Sequence, residues 1–417
     1  MKLSYLMACL FLMTGLSEIS IAASHGDNKS SAEASTLCAK VNQLPKLDCA
    51  SAPSSVFSDA GRLWIAWSYA GHVYVNYSDD KAKTYSQPVS VNRIPEEISA
   101  RGENRPKIAI DNKGGVYVSW TTPLEKRFSG NVRFSYSSNN GESFSKPVTV
   151  NDNLDITGHR FDALSVAKNG DIFMAWIDKR DRFKAQKKGE KYHGAAIYYT
   201  WSDNGGKSFY PNKKIIDHSC ECCRVIVKTN ENNLPVILWR NIYGKNTRDH
   251  ALVDFDSPDS PSKPVRVSYD NWHVDACPHH GPDLSISESG DYHMVWFNNA
   301  EINKGLFYMR MDNNKKQNKP FSFGNYKATS SHPGVLSKGN KVWLAWKEFD
   351  GEQESLWTQY SDNNGETWSE ADRVAETLPG SDYPFLMSDK DTIYIQWKTR
   401  QEGFRLIEID SISEKSK

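Results

Sequence analysis

The stretch Ile393-Tyr394-Ile395-Gln396-Trp397 is the last of seven similar short runs, each of which ends in a tryptophan. Earlier copies include Leu63-Trp64-Ile65-Ala66-Trp67 and Val116-Tyr117-Val118-Ser119-Trp120. The seven tryptophans follow one another at intervals of 50 to 63 residues and are Trp67, Trp120, Trp176, Trp239, Trp296, Trp346 and Trp397. Short β-branched and aromatic runs repeated at this period predict a β-propeller with one blade in each repeat.

Each repeat contains the same order of strand and turn signals. In the third repeat, residues 163–166 lead through the turn Lys168-Asn169-Gly170-Asp171 to the tryptophan strand, and a tyrosine-rich run at 196–200 follows. Such runs between Gly and Asn are typical of strands. We therefore predict an all-β fold, a β-propeller of four-stranded blades. Seven tryptophan strands favour seven blades, and six are the alternative if one repeat is irregular. The last repeat is too short for a fourth strand, which residues 41–46 would supply.

The chain has 417 residues, with 51 basic and 51 acidic side chains and no net charge. A nucleic-acid partner is therefore not expected, because no basic excess exists to neutralise phosphates. Residues 1–23 combine Lys2, a short apolar run and small residues, which predicts a signal peptide and a periplasmic or secreted protein. Residues 24–37 are predicted to be a flexible leader, and residues 38–417 a single propeller domain. No later apolar run is long enough to span a membrane.

Alignment of the repeats by their first strands predicts that one short segment of each repeat lies near the propeller axis, and all of these segments except the first, at residues 50–53, are rich in Arg, His, Cys, Asp or Tyr. Two of these segments, Cys220-Glu221-Cys222-Cys223 and Cys277-Pro278-His279-His280, contain thiols and imidazoles. Such groups bind soft and borderline metal ions. An exported protein is exposed to copper, and soft ligands select that metal, so copper is favoured over zinc and iron. A redox role of the bound metal is a further possibility that the sequence leaves open. The predicted metal ligands are Cys220, Cys222, Cys223, Cys277, His279, His280 and His332.

The same cysteines have two other interpretations. An even number of cysteines in an exported chain indicates disulfides, so Cys220 or Cys222 would bridge to Cys277 in a disulfide-stapled interaction scaffold. The third interpretation is a redox-active set of thiols. Cys38 and Cys49 enclose a short loop beside the first blade and are predicted to form a separate disulfide.

A second group of residues on the same rim is cationic. Arg105, Arg160 and Arg224 occur in successive repeats, and guanidinium groups that meet in one pocket bind a carboxylate, sulfate or phosphate. Alternatively, these arginines pair with Glu103, Asp162 or Asp283 and only hold the loops. The full set of predicted ligand-binding residues is Arg105, His159, Arg160, Asp162, Arg224, Asp283 and Tyr383. Asp162, Asp283 and Tyr383 would supply acid, base or nucleophile.

A turn signature accompanies the tryptophan repeat. The segment Ser361-Asp362-Asn363-Asn364-Gly365-Glu366-Thr367-Trp368 has good copies at 202–209 and 137–144 and a decayed copy at 78–85. An Asp or Asn side chain caps such a hairpin and Gly takes the positive φ. These turns resemble the Asp-boxes (BNR repeats) of the sialidase-like propellers. The resemblance implies that they are peripheral and stiffen hairpins.

The same resemblance implies a glycan-related function as the alternative to metal binding. Sialidases use three arginines for the sialic acid carboxylate, a tyrosine nucleophile paired with glutamate, and an aspartate acid/base. Tyr383 lies in the last repeat, as such a nucleophile would, but the first inner segment at Pro53 has no arginine. Our leading expectation is an exported propeller with a metal-binding axial site. Its partner would be a small anionic ligand, a glycan or a metal-handling protein. If the protein is an enzyme, it is a metal-dependent redox protein or an exo-sialidase-like glycosidase.

Overall fold

The computed structural model describes residues 45–411. The predicted signal peptide, the leader, Cys38 and residues 412–417 lie outside the described residues. Residues 41–44, most of the segment predicted to supply a fourth strand to the last repeat, also lie outside the described residues. The rest of that segment, Pro45 and Lys46, is not in a strand. The first element is a short 3-10 helix, Leu47–Cys49, which contacts the last strand of the chain. Cys49 is disulfide-bonded.

The strands form successive antiparallel sheets, most of them four-stranded. The first sheet comprises β1 (Ser51–Phe57), β2 (Leu63–Tyr69), β3 (His72–Ser78) and β4 (Val89–Ser90). The second comprises β5 (Lys107–Ile110), β6 (Val116–Pro123), β7 (Gly130–Ser137) and β8 (Val148–Thr149). The third group comprises β9 (His159–Val166), β10 (Ile172–Asp178), β11 (Ala195–Ser202) and β12 (Lys213–Ser219), with helix α1 (Arg180–Lys187) between β10 and β11.

The fourth group is continuous with the third, because β12 pairs with β14 at Ser219 and Asn241. It comprises β13 (Ile226–Thr229), β14 (Pro235–Tyr243), β15 (Thr247–Val253), β18 (Val265–Arg266) and β19 (Trp272–His273), beside a hairpin of β16 (Phe255–Ser257) and β17 (Ser260–Pro261). The next sheet comprises β20 (Asp283–Ile286), β21 (Tyr292–Asn299), β22 (Lys304–Met311) and β23 (Phe321–Phe323), followed by the 3-10 helix Tyr326–Ala328. The last two comprise β24 (Ser331–Lys338), β25 (Lys341–Phe349), β26 (Glu354–Ser361) and β27 (Asp372–Thr377), then β28 (Phe385–Asp389), β29 (Thr392–Thr399) and β30 (Gly403–Ser411).

The seven repeated tryptophans lie on the second strand of each group, and none is more than 1% exposed. Every one of their indole N–H groups donates a hydrogen bond to an oxygen, for example Trp67 to Asn76 and Trp176 to Asp178. A buried indole therefore contributes its large apolar area without an unsatisfied donor. No helix within residues 45–411 is both long and apolar enough to cross a membrane.

The first strands of the groups contact one another in chain order: β1 with β5, β5 with β9, β9 with β13, β13 with β20, β20 with β24, and β24 with β28. Strand β28 also contacts β1. The segments that precede these strands therefore come together, as the aligned repeats predicted.

The Asp-box turns form the expected hairpins and also join neighbouring sheets. In the last box, Ser361 Oγ accepts the N–H of Gly365, and Asn363 Oδ1 accepts the N–H of Thr367. Trp368 then packs on Tyr308 and Phe321 of the preceding sheet, with ring centroids 4.7 and 5.7 Å away. The earlier boxes repeat this contact, through Phe209 on Phe134 and Tyr85 on Phe404. The boxes therefore stabilise sheet packing as well as their own turns.

Candidate functional site

The polar segments converge where the first strands begin, and the backbone there is unusual. Ala52, Phe161 and His332 adopt left-handed φ values of 44°, 57° and 52° at the starts of β1, β9 and β24. The strand pairing has an irregularity at each of these positions. Left-handed non-glycine residues cost about 1–3 kcal/mol and are often found at functional sites. Such bulges bend a strand locally and re-aim the side chains beside them.

Three cysteines meet directly after β12. The sulfur of Cys220 lies 3.8 Å from that of Cys222 and 3.5 Å from that of Cys223, and all three side chains are buried. Cys222 also belongs to a second group with the exposed residues Cys277 and His279, in which all ligand atoms lie within 4.8 Å of one another. The four cysteines are free thiols.

Positive charge surrounds these thiols. Arg248 Nη1 lies 3.2 Å from the sulfur of Cys220. The pKa of Cys220 lies well below its ordinary value, because the thiols of Cys222 and Cys223 hydrogen-bond to its sulfur and Arg248 and Arg240 lie nearby. Glu221, between the cysteines, points elsewhere and pairs with Lys179 and Arg182 beside helix α1.

His280, His332 and Tyr383 form a second cluster, contributed by three successive repeats. The ring centroids of His280 and His332 lie 4.5 Å apart, and those of His332 and Tyr383 lie 5.1 Å apart with nearly parallel planes. The Nδ1 atoms of His280 and His332 are buried and have no hydrogen-bond partner within residues 45–411. Burial lowers the pKa of His280 to about 3 and that of His332 well below its ordinary value. Both imidazoles are therefore neutral at pH 7.

Tyr383 is buried and its hydroxyl donates a hydrogen bond to the carbonyl oxygen of Gly102, 3.0 Å away. Burial raises the pKa of Tyr383 to about 12. The guanidinium of Arg105 lies 4.0 Å from the centre of the Tyr383 ring, and that of Arg224 lies 5.2 Å away. The phenol therefore stays protonated between two permanent cations.

Arg105 is held by Asp382, a partner that the sequence did not indicate. Two parallel hydrogen bonds of 2.5 and 2.6 Å join Arg105 to the Asp382 carboxylate, and Arg105 Nε donates to the Gly102 carbonyl. Arg224 donates instead to the carbonyls of Pro282 and Pro333, at 2.7 and 3.0 Å. Both side chains are buried.

Glu103 holds two neighbouring segments of the rim together. Its carboxylate accepts the backbone N–H of Arg224 at 2.8 Å and that of Gly281 at 2.5 Å. From the sequence, Glu103 was predicted only as a partner for an arginine side chain. Its backbone role places Gly281, and with it the adjacent His280, against the segment that carries Arg224.

Arg160, His159 and Asp162 make their contacts outside the His280–Tyr383 cluster, whereas Asp283 lies near it and acts electrostatically on Arg224. The guanidinium of Arg160 lies over the Phe161 ring and interacts electrostatically with Cys222, so Arg160 does not share the surroundings of Arg105 and Arg224. His159 is fully buried and its ring nitrogens contact Gly130 and Asn153. Asp162 accepts hydrogen bonds from Ser119 and Thr121, and Asp283 accepts the N–H of Val335.

Three cationic residues near the two clusters were not identified from the sequence. Arg240 donates to the carbonyls of His280 and Phe297, and Arg248 contacts Cys220. Lys347 pairs with Glu354, and its charge helps to lower the pKa of His332. These residues lie on β14, β15 and β25 rather than in the segments before first strands, so aligning strand starts did not reveal them.

A cavity of about 360 Å³ opens beside His280. Its lining includes Phe297, Tyr326 and Ser331. Phe297 packs on the His280 ring with centroids 4.2 Å apart, and Tyr326 is 40% exposed. Of the three clustered side chains, His280 lines this cavity, whereas His332 and Tyr383 are not among its lining residues.

No family model matches the chain, and no curated protein matches its sequence. Solved structures do match. An ulvan lyase of polysaccharide lyase family PL25, bound to -[GlcA(1-4)Rha3S]-, is 10% identical, with 87% of this chain and 94% of that chain covered and a TM-score of 0.55. A protein of unknown function from Dyadobacter fermentans is 14% identical, with coverages of 76% and 95% and a TM-score of 0.51. A Hadza microbial sialidase is 11% identical, with coverages of 84% and 76% and a TM-score of 0.48.

Identities this low show a shared fold and carry no activity. The likeness of fold rests on the matches with TM-scores above 0.5, those to the ulvan lyase and to the Dyadobacter fermentans protein.

Proposed function

We propose that this protein binds and cleaves an acidic polysaccharide at the cluster of His280, His332 and Tyr383, by β-elimination next to a uronate carboxylate. The observation that carries the proposal is the pair of neutral imidazoles whose buried Nδ1 atoms have no hydrogen-bond partner among residues 45–411. They stand beside a buried phenol in a cationic environment.

Each group has a definite part in such an elimination. A neutral imidazole, His280 or His332, removes the C5 proton of the uronate, the C4–O bond breaks, and a C4–C5 double bond forms. Tyr383 gives its proton to the departing oxygen, since its raised pKa keeps it protonated at pH 7. Charge develops on the uronate carboxylate during proton removal, and the nearby guanidinium of Arg224 stabilises that charge.

The carboxylates of the rim favour elimination over hydrolysis. Most glycoside hydrolases use two carboxyl groups placed on either side of the scissile bond. Here Glu103 accepts two backbone N–H groups, Asp382 pairs with Arg105, and Asp283 accepts the N–H of Val335. Each of these carboxylates is engaged in holding the rim. A tyrosine nucleophile also fits less well, because Tyr383 donates to a carbonyl and not to a carboxylate.

The cationic surroundings of the cluster and the ligand of one fold relative support this substrate class. The ulvan lyase is bound to a chain of glucuronate and sulfated rhamnose. A uronate-containing polysaccharide, with or without sulfate, is therefore the substrate to test first. The exposed Tyr326 beside the cavity supplies a face on which a sugar ring stacks.

The proposed scaffold is a seven-bladed propeller acting outside the cytoplasm. Seven successive first strands contact one another, and β28 contacts β1, which supports seven blades rather than six. The signal-peptide pattern supports export.

The experiment is an assay of the purified full chain on uronate polysaccharides and, in parallel, on sialylated glycans. The expected result is an oligosaccharide with a new C=C bond, seen by ultraviolet absorbance and by mass spectrometry. Products without a double bond, release of sialic acid, or no cleavage of any uronate polymer would overturn the proposal.

A further inference from the structure

The thiol group formed by Cys220, Cys222 and Cys223 lies at distances that suit a metal ion. Zinc–sulfur bonds of about 2.3 Å at tetrahedral angles separate two sulfurs by about 3.8 Å. The sulfur of Cys220 lies 3.8 Å from that of Cys222 and 3.5 Å from that of Cys223. The same sulfurs are too far apart for an S–S bond, which is about 2.05 Å long.

Additional ligands lie on the open side of this group. Cys277 and His279 belong to the loop between β19 and β20, and their ligand atoms lie within 4.8 Å of each other and of the Cys222 sulfur. Both are exposed, whereas the three clustered cysteines are buried. The set therefore has a buried face of three sulfurs and a solvent-exposed face formed by Cys277 and His279.

The surroundings match the charge of a thiolate site. Three thiolates around one monovalent or divalent cation carry a net charge of about −2 or −1. A buried net charge is costly unless neighbouring groups of opposite charge compensate it. Arg248 contacts the Cys220 sulfur at 3.2 Å. Arg160 carries a buried Nε without a hydrogen-bond partner among residues 45–411, and its charge acts on Cys222. The neighbouring carboxylate, Glu221, is turned away and engaged by Lys179 and Arg182.

We propose that Cys220, Cys222 and Cys223 bind one thiophilic metal ion, Cu(I) or Zn(II), at the junction of the 220–223 segment and the 277–279 loop. Soft thiolate ligands select these ions. Cu(I) is satisfied by the three buried sulfurs alone. Zn(II) in a closed site takes four ligands, so it also requires Cys277 or His279. This metal site does not depend on the glycan function proposed above.

The test is titration of the reduced, folded full chain with Cu(I) and with Zn(II), each against a chromophoric chelator under anaerobic conditions. Metal content of the protein exported from cells is measured on a parallel sample. The expected result is one tightly bound ion per chain. Because this titration uses the unsubstituted protein, the proposal stays falsifiable even if cysteine variants fail to fold.

Variants distinguish the two ions and locate the site. Cys223→Ser removes binding of either ion. His279→Ala and Cys277→Ser leave Cu(I) affinity unchanged, but together they lower Zn(II) affinity by more than about tenfold. The matched control His273→Ala, an exposed histidine just before the loop, changes neither affinity.

Two results would overturn the proposal. One is a folded chain with four reduced thiols that binds neither ion stoichiometrically. The other is a disulfide among Cys220, Cys222, Cys223 and Cys277 in the exported protein, found by peptide mapping.

Discussion

The ring of Tyr383 stacks on the imidazole of His332, with planes 6° apart and centroids separated by 5.1 Å. Each residue is followed directly by proline; His332 lies at the start of β24, and Tyr383 lies just before β28 in the next repeat. His332 occupies a left-handed conformation before its proline, a backbone state that the surrounding packing must enforce. The repeat thus places equivalent positions of two neighbouring sheets in face-to-face contact.

Replacement of His332 by alanine is expected to lower kcat on a uronate polysaccharide by about 100-fold or more, the usual contribution of a positioned general base. The reason is the loss of a neutral, unpartnered imidazole beside Tyr383. Initial rates of double-bond formation measure the effect. The control is His193→Ala, an exposed histidine on another part of the surface. Equal activity of the two variants would remove His332 from the mechanism.

Asp382→Asn is expected to destabilise the fold by about 3 kcal/mol or more, because it leaves the buried Arg105 guanidinium without its carboxylate. Urea unfolding measures the change in free energy. The matched control is Asp79→Asn, which removes a similar two-bond pair with Arg62 at the surface, where the Asp79 side chain is 59% exposed. That loss should be below about 1 kcal/mol. Similar losses in both variants would contradict this account of the rim.

Gly365→Ala is expected to cost at least about 2 kcal/mol of unfolding free energy. Gly365 has a φ of 81° in its Asp-box, and an added Cβ would overlap the Tyr308 hydroxyl of the preceding sheet. Gly339→Ala serves as the control, since Gly339 has a φ of 55° with open space around its Cβ position. Its cost should be about 1 kcal/mol, the penalty for placing a Cβ in the left-handed region. If the two variants are equally stable, the Asp-box does not join the sheets.

The fold is expected to lose stability as the pH falls from 7 to 5. Burial lowers the pKa values of His159, His250, His280, His293 and His332, with His293 at about 4. The unfolded chain therefore takes up protons near the ordinary value of about 6.5, before the folded chain does. The stabilisation is complete above that pH and is lost as the pH falls toward the folded pKa values.

Each such histidine contributes a slope of about 1.4 kcal/mol per pH unit in that window. Urea unfolding at pH 7, 6 and 5 measures the summed dependence of the unfolding free energy on pH. His293→Gln should reduce the slope of that dependence by the contribution of one histidine, about 1.4 kcal/mol per pH unit. A free energy of unfolding that does not change between pH 7 and 5 would show that these histidines are not buried in the neutral form.

The all-β fold and the sheet-by-sheet organisation were predictable because they depend on local patterns. The seven tryptophans lie on second strands as the repeat indicated, and four-stranded sheets are confirmed. The Asp-box hairpins were predictable for the same reason, since their hydrogen bonds join residues within one octapeptide. The sequence did not reveal that Trp368 packs on Tyr308, because that contact belongs to the next sheet.

The sequence by itself determined which chemistry reaches the rim: thiols, imidazoles, guanidiniums and a phenol at the starts of the first strands. Only the tertiary structure decided which of these side chains lie together in one cluster and which lie in another. It pairs Arg105 with Asp382, puts Arg160 beside the thiols, and sets His280, His332 and Tyr383 apart as a separate cluster. The physical reason is that these partners lie one or more repeats apart. Their distances depend on how whole sheets pack around the axis, which no local pattern encodes.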